Sequence, residues 1–64
     1  MKNLEIQIAD RIAETRRGRG MSVTELALKA GLSASQISRI EHHHVSPPLA
    51  TLSKIADALG VRVI

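Results

Sequence analysis

At 64 residues the chain has room for one domain, and a domain of this size buries only about 60% of the surface its unfolded chain exposes. Its residues are 44% hydrophobic and 23% charged, with Lys+Arg 9 against Asp+Glu 6; the net charge of +3 fits a folded domain that faces polyanions rather than a disordered tail. The absence of Cys, Phe, Tyr and Trp excludes a disulfide framework, a thiolate metal site and single-strand binding by stacked aromatics, and leaves Leu, Ile, Val, Ala and Met to build the core.

Leu4, Ile8 and Ile12 recur every fourth residue with Ala9 and Ala13 beside them, while Glu5, Asp10, Arg11 and Glu14 take the other faces. The spacing predicts an amphipathic first helix that stops near Gly18 and Gly20. Ser22-Val23-Thr24-Glu25 then has the Ser-x-x-Glu form of a capping box, in which hydroxyl and carboxylate satisfy free amides of a first turn. The second helix carries Leu26, Ala27 and Ala30 as its buried stripe and ends at Gly31. Ser33-Ala34-Ser35-Gln36 repeats the box and opens a third helix at about residues 34–43, with Ile37 and Ile40 inward and His42, His43 and His44 at its close. Ser46-Pro47-Pro48 interrupts it, because proline lacks the amide proton and clashes with the preceding turn. Leu52, Ile55, Ala56 and Leu59, at i, i+3, i+4 and i+7 ahead of Gly60, predict a fourth helix. Val61, Arg62, Val63 and Ile64 read as a tail or the start of a further region. The expected fold class is all-α, a compact bundle of four to five short helices forming one domain over 1–64.

Two short helices joined at Gly31, the second capped, make a helix-turn-helix, whose second helix can enter the major groove of DNA. With Ile37 and Ile40 inward, a rotation of about 100° per residue places Ser35, Ser38, Arg39 and His42 outward, flanked by Gln36 and His43. Spacing alone is also met in small bundles that bind no nucleic acid. The ordered residues say more. Ile12 through Gly20, Met21-Ser22-Val23-Thr24-Glu25-Leu26-Ala27-Leu28-Lys29-Ala30-Gly31-Leu32-Ser33 and Ile37-Ser38-Arg39-Ile40-Glu41 stand in sequence. Pro47, Leu49, Thr51, Leu52, Lys54, Ile55, Ala56, Ala58, Leu59, Gly60 and Val61 come after them at set spacings. This series resembles the Cro/CI-type helix-turn-helix family, also called the XRE family, across residues 8 to 61. The resemblance implies a lambda-repressor-like bundle and a homodimer on double-stranded DNA with an inverted-repeat operator, acting in transcriptional repression or activation. The chain is most similar to the N-terminal domains of bacterial regulators with a cupin or other sensor domain, and next to antitoxins. A C-terminal sensor domain or a toxin is therefore an implied further partner.

The family pattern puts base contacts on Ala34, Ser35, Gln36 and Arg39. Arg39 can offer a two-pronged fork to guanine, Gln36 can pair with adenine unless its capping box holds it, and Ala34 can touch a thymine methyl. Phosphate contacts are expected from the amides near Ser22, Val23 and Thr24, where a helix start favours anions, and from Arg17, Arg19, His43, His44 and Ser46. The plain alternative for Arg17 and Arg19 is a solvated helix end carrying favourable cations. Arg16 resembles the family arginine that pairs with the glutamate closing the reading helix, here Glu41; unpaired and exposed, the two would contribute under ~1 kcal/mol.

The three histidines depart from the family pattern, and His43 stands where relatives often have a left-handed glycine. Neighbouring histidines on a turn diverge, so no metal site and no cofactor are expected. No ordered catalytic relay and no complete dinucleotide loop occur, so an enzyme is not expected either. The competing class is an antitoxin-like or other small helical interaction module, against which the polar outer face of the third helix argues. Leu28, with Val61, Val63 and Ile64, is the candidate for a dimer or inter-domain contact. No apolar run nears ~20 residues and no signal-peptide pattern opens the chain, so a cytoplasmic protein without membrane contact is expected.

Overall fold

The computed structural model describes residues 3–61, and four helices form among them. Helix α1 (Leu4–Gly18) starts where the Asn3 side chain accepts the Ile6 amide at 2.9 Å. Helix α2 (Val23–Ala30) and helix α3 (Ala34–Glu41) each open on a complete capping box, Ser22 with Glu25 and Ser33 with Gln36. Helix α4 (Leu49–Leu59) starts after Pro48 without a side-chain cap. No helix among the described residues is long and apolar enough to cross a membrane.

All four helices close through a left-handed residue: Gly31 and Gly60 directly follow α2 and α4, while Gly20 and His43 come one residue later, after Arg19 and His42. The next amide then reaches back five residues: Met21 to the Arg16 carbonyl, Leu32 to Ala27, His44 to Arg39 and Val61 to Ala56, at 2.9 to 3.1 Å. Three of the four sites are glycine, which takes this conformation without a Cβ penalty, and the fourth is His43 at φ 65°. This closure shortens the third helix relative to the expected 34–43: it ends at Glu41, and His43 and His44 lie beyond it.

The core is aliphatic. Leu26, Ile37 and Ile55, one each from α2, α3 and α4, are fully buried at its centre, with Ile12, Ala27, Ala30, Ile40 and Leu59 around them. Helix α2 packs against both α3 and α4, and α1 lies across α3 and α4. Leu4, whose spacing puts it on the inner face of α1, is instead 70% exposed. The buried residues of α1 begin at Ala9, so its first turn overhangs the core. The residues expected to form a tail, Arg62, Val63 and Ile64, lie outside the described residues.

Candidate nucleic-acid interface

Helix α3 has a buried side and an outer side. Ile37 and Ile40 are buried, while Ala34, Ser35, Gln36 and Arg39 are exposed and Ser38 is half-buried. The helix is fixed from behind by charge. Arg16 Nε donates to Glu41 Oε2 at 2.7 Å and Arg16 Nη2 to Glu41 Oε1 at 3.0 Å, a two-point fork between groups that are both buried. Arg16 Nη1 also donates to the Met21 carbonyl at 2.8 Å. One guanidinium therefore joins the end of α1, the end of α3 and the loop that leads into α2. The carboxylate bond outweighs desolvation and holds the Arg16 pKa above its already high ordinary value, so the guanidinium stays charged.

The amide end of α2 is partly occupied by its own box. Glu25 Oε1 accepts the Ser22 amide at 2.9 Å, and the Ser22 hydroxyl accepts the Glu25 amide at 3.0 Å. These bonds from Ser22 hold the Glu25 pKa below the usual glutamate range, so a negative charge sits at this helix start. The first-turn amides of Val23 and Thr24 take no intrahelical acceptor and are the donors left for an external anion.

At α3 the box constrains Gln36. Its Oε1 accepts the Ser33 amide at 2.9 Å, which takes one of its two lone pairs and fixes the direction of the side chain. The expected paired donor-and-acceptor contact from Gln36 to adenine competes with this box for that oxygen. Arg39 borders a shallow depression with Gln36, Val45, Ser46, Pro47, Pro48 and Thr51, so the loop and the start of α4 share the surface that α3 presents. Sequence reasoning misses Val45 and Thr51; Val45 follows the left-handed close of α3 at His43, and Thr51 lies in the first turn of α4, which starts after Pro48.

Two expected phosphate contacts bond to acidic side chains of α1, and Arg17 and Arg19, both exposed, have neighbours of their own. His43 Nε2 donates to Asp10 Oδ1 at 2.8 Å, and the Ser46 hydroxyl donates to Glu5 Oε2, so both residues strap the α3–α4 loop to α1 carboxylates that would repel a phosphate. Arg17 shares a polar depression with Asp10, Glu14, Glu41 and His42. Arg19 lies at the far end of α4, its Nη1 3.8 Å from where a Cβ on Gly60 would stand. That end concentrates unpaired carbonyls, and the last turn of α4 has no basic residue of its own. His44 is exposed, its ring 6.3 Å from that of His42 and tilted to it, while His42 Nδ1 donates to the Ser38 carbonyl at 2.8 Å. Among the described residues no group of His, Asp and Glu could hold a metal ion.

Two capped helices meeting at a left-handed Gly31, the second held from behind and polar in front, define a helix-turn-helix domain. The family model described as helix-turn-helix matches residues 12–63, and the chain belongs to that family. Over 56 residues it is 39% identical to the immunity repressor protein of Bacillus phage phi105, covering 88% of this chain and 39% of the relative. It is 38% identical over 61 residues to the HTH-type transcriptional regulator SutR of Escherichia coli (strain K12), covering 95% of this chain and 34% of that protein. With the HTH-type transcriptional regulator SinR of Bacillus subtilis (strain 168) it shares 39% over 57 residues, 88% of this chain and 51% of the relative. The chain thus spans between about a third and about a half of the length of these relatives.

Proposed function

We propose that this domain binds double-stranded DNA in a sequence-specific way as the DNA-reading part of a transcriptional regulator, with α3 in the major groove. The observation that carries this reading is the two-sided character of α3: its outer side is short and polar and ends in the exposed Arg39, while Arg16 and Glu41 hold it rigidly from behind. Rigidity matters because base readout depends on presenting a donor fork at fixed geometry. Arg39 is the principal base reader, by its two-pronged fit to guanine; Ser35 and Ala34 meet the adjacent bases, and Gln36 contributes a single donor. The amides of Val23 and Thr24 and the exposed His44 face phosphate and set register. The names of the relatives, a repressor and transcriptional regulators, support the same reading.

One reading helix per chain covers one half-site. Two copies on an inverted repeat, half-sites about 34 Å apart, are accordingly the operating form, in the cytoplasm where DNA is accessible. Selection of bound fragments from random duplex DNA tests this in one step. A recovered inverted repeat is expected; recovery of no sequence above background would overturn sequence-specific binding, and a single unrepeated half-site would overturn the paired form.

A further inference from the structure

The loop between α3 and α4 supplies Val45, Ser46 and Pro47 to the depression that Arg39 borders. Its backbone is poorly tied. The His44 amide closes α3 and the Pro48 carbonyl accepts the Leu52 amide, but Val45, Ser46 and Pro47 between them share no backbone hydrogen bond with any described residue. Packing adds little, since His44, Val45, Ser46 and Pro48 are exposed and Pro47 is half-buried. The polar anchors are two side-chain bonds that bracket His44 and Val45, and both go to α1: His43 Nε2 to Asp10 Oδ1 at 2.8 Å, and the Ser46 hydroxyl to Glu5 Oε2. His43 is left-handed at φ 65°, a conformation whose cost to a side chain is not returned in full by one partly exposed bond. Stability alone therefore gives no reason for a histidine there, whereas a held loop does.

We propose that Asp10 and Glu5 are positioning residues for DNA binding: through His43 and Ser46 they hold the α3–α4 loop where it presents His44 and flanks Arg39. The inference rests on the reading of α3 as the helix that faces DNA. The two effects a carboxylate can have here carry opposite signs. By charge alone it repels a polyanion, so its removal strengthens binding. As an anchor it does the reverse, because an unstrapped loop spends part of its time out of place and the apparent affinity falls by the fraction that remains in place. The first effect belongs to the negative charge and the second to the accepting oxygen. An amide in place of the carboxylate removes the charge and keeps an oxygen that accepts, whereas alanine removes both.

Asp10→Ala is compared with Asp10→Asn, and Glu5→Ala with Glu5→Gln, each shown by circular dichroism to be folded at the assay temperature. All four and the parent are titrated at one salt concentration against the inverted-repeat duplex recovered by selection and against a scrambled duplex. On the selected duplex each alanine variant is expected to bind about two- to fivefold more weakly than its amide counterpart, the scale of one partly exposed bond, and the amide variants at least as tightly as the parent. Equal affinity within each pair would overturn the positioning role, since both members have lost the same charge. In the protein without DNA, the NMR amide signals of His44 and Val45 are expected to move in the alanine variants and to stay near the parent's in the amide ones. Signals unmoved in all four would show that the loop keeps its place without α1. A parent that does not distinguish the two duplexes would instead overturn the reading of α3, and the positioning role with it.

Discussion

Arg16 and Glu41 stand 25 residues apart in the chain and meet as a buried fork, Nε to Oε2 at 2.7 Å and Nη2 to Oε1 at 3.0 Å. Neither touches the outer side of α3, yet between them they fix where that side lies, because Arg16 also holds the Met21 carbonyl at the entrance to α2. No buried side-chain polar atom among the described residues lacks a partner, so the pair is fully satisfied rather than strained.

Removing one partner should therefore cost more than a surface bridge and less than a pair at the centre of a large protein, about 2 to 3 kcal/mol. For a domain of this size that is a large share of total stability. Arg16→Met and Glu41→Leu, singly and together, are measured by urea unfolding. The double variant should be more stable than the sum of the single losses predicts, with coupling of about 1 to 3 kcal/mol. Strict additivity would mean that the two side chains do not interact in solution.

His43 occupies the one left-handed helix-closing position among the described residues that is not glycine, and two opposing magnitudes set its effect on stability. A side chain with a Cβ costs roughly 1 to 2 kcal/mol there, whereas the partly exposed bond from His43 to Asp10 returns at most about 1 kcal/mol. His43→Gly should then equal or exceed the parent in stability, while His43→Ala, which keeps the Cβ and loses the imidazole, should fall about 1 kcal/mol or more below His43→Gly. Equal urea midpoints for the glycine and alanine variants would show that the turn is not held in the left-handed region.

The elements are legible in the sequence because each boundary has a local chemical cause. Ser22 with Glu25, Ser33 with Gln36, Gly31 and Gly60 act within four residues of themselves, and the apolar spacing of Leu26, Ile37, Ile40, Ile55 and Leu59 directly gives the core. What is not legible depends on residues distant in the chain. Leu4 fits the periodicity of α1 and fails only because α1 extends past what it packs against. Asp10 and Glu5 look like solvated helix residues until the fold brings His43 and Ser46 to them, and nothing local tells Arg19 that the end of α4 lies beside it. The candidate site divides in the same way. The outward position of Arg39 comes from helical rotation, but which basic residues remain free for phosphate depends on where the acidic residues of α1 fall.

Acid should weaken the start of α2. The folded-state pKa of Glu25 is depressed by its bonds with Ser22, so its contribution is present above the unfolded glutamate pKa and is lost as pH falls through the lower folded value. In an NMR titration the Glu25 carboxyl should have its midpoint below that of exposed glutamates, and Ser22→Ala, which removes the hydroxyl but keeps the amide donor, should raise it only part of the way. A parent midpoint within the range of exposed glutamates would show that the box does not hold the carboxylate. Arg16 behaves oppositely in sign: its raised pKa keeps the fork charged, and its contribution is lost only as pH rises through the strongly alkaline folded value.

The assignments on DNA separate by how they respond to sequence and salt. Arg39→Ala should relax preference at one base pair by about 1 to 3 kcal/mol, leaving affinity for scrambled duplexes little changed, because a base contact discriminates and a phosphate contact does not. Arg19→Gln should do neither. Its guanidinium lies at the carbonyl end of α4, about 16 Å along the helix from the end that adjoins Arg39, so the slope of affinity against salt should match the parent's. Its loss should appear instead as about 0.3 to 1 kcal/mol of stability, the size of a cation's interaction with a helix end. Binding isotherms at several salt concentrations, on a selected site and a scrambled one, distinguish these outcomes. If Arg39→Ala weakens both duplexes equally, Arg39 is a phosphate contact rather than a reader of bases; if Arg19→Gln flattens the salt dependence, Arg19 reaches DNA and does not cap α4.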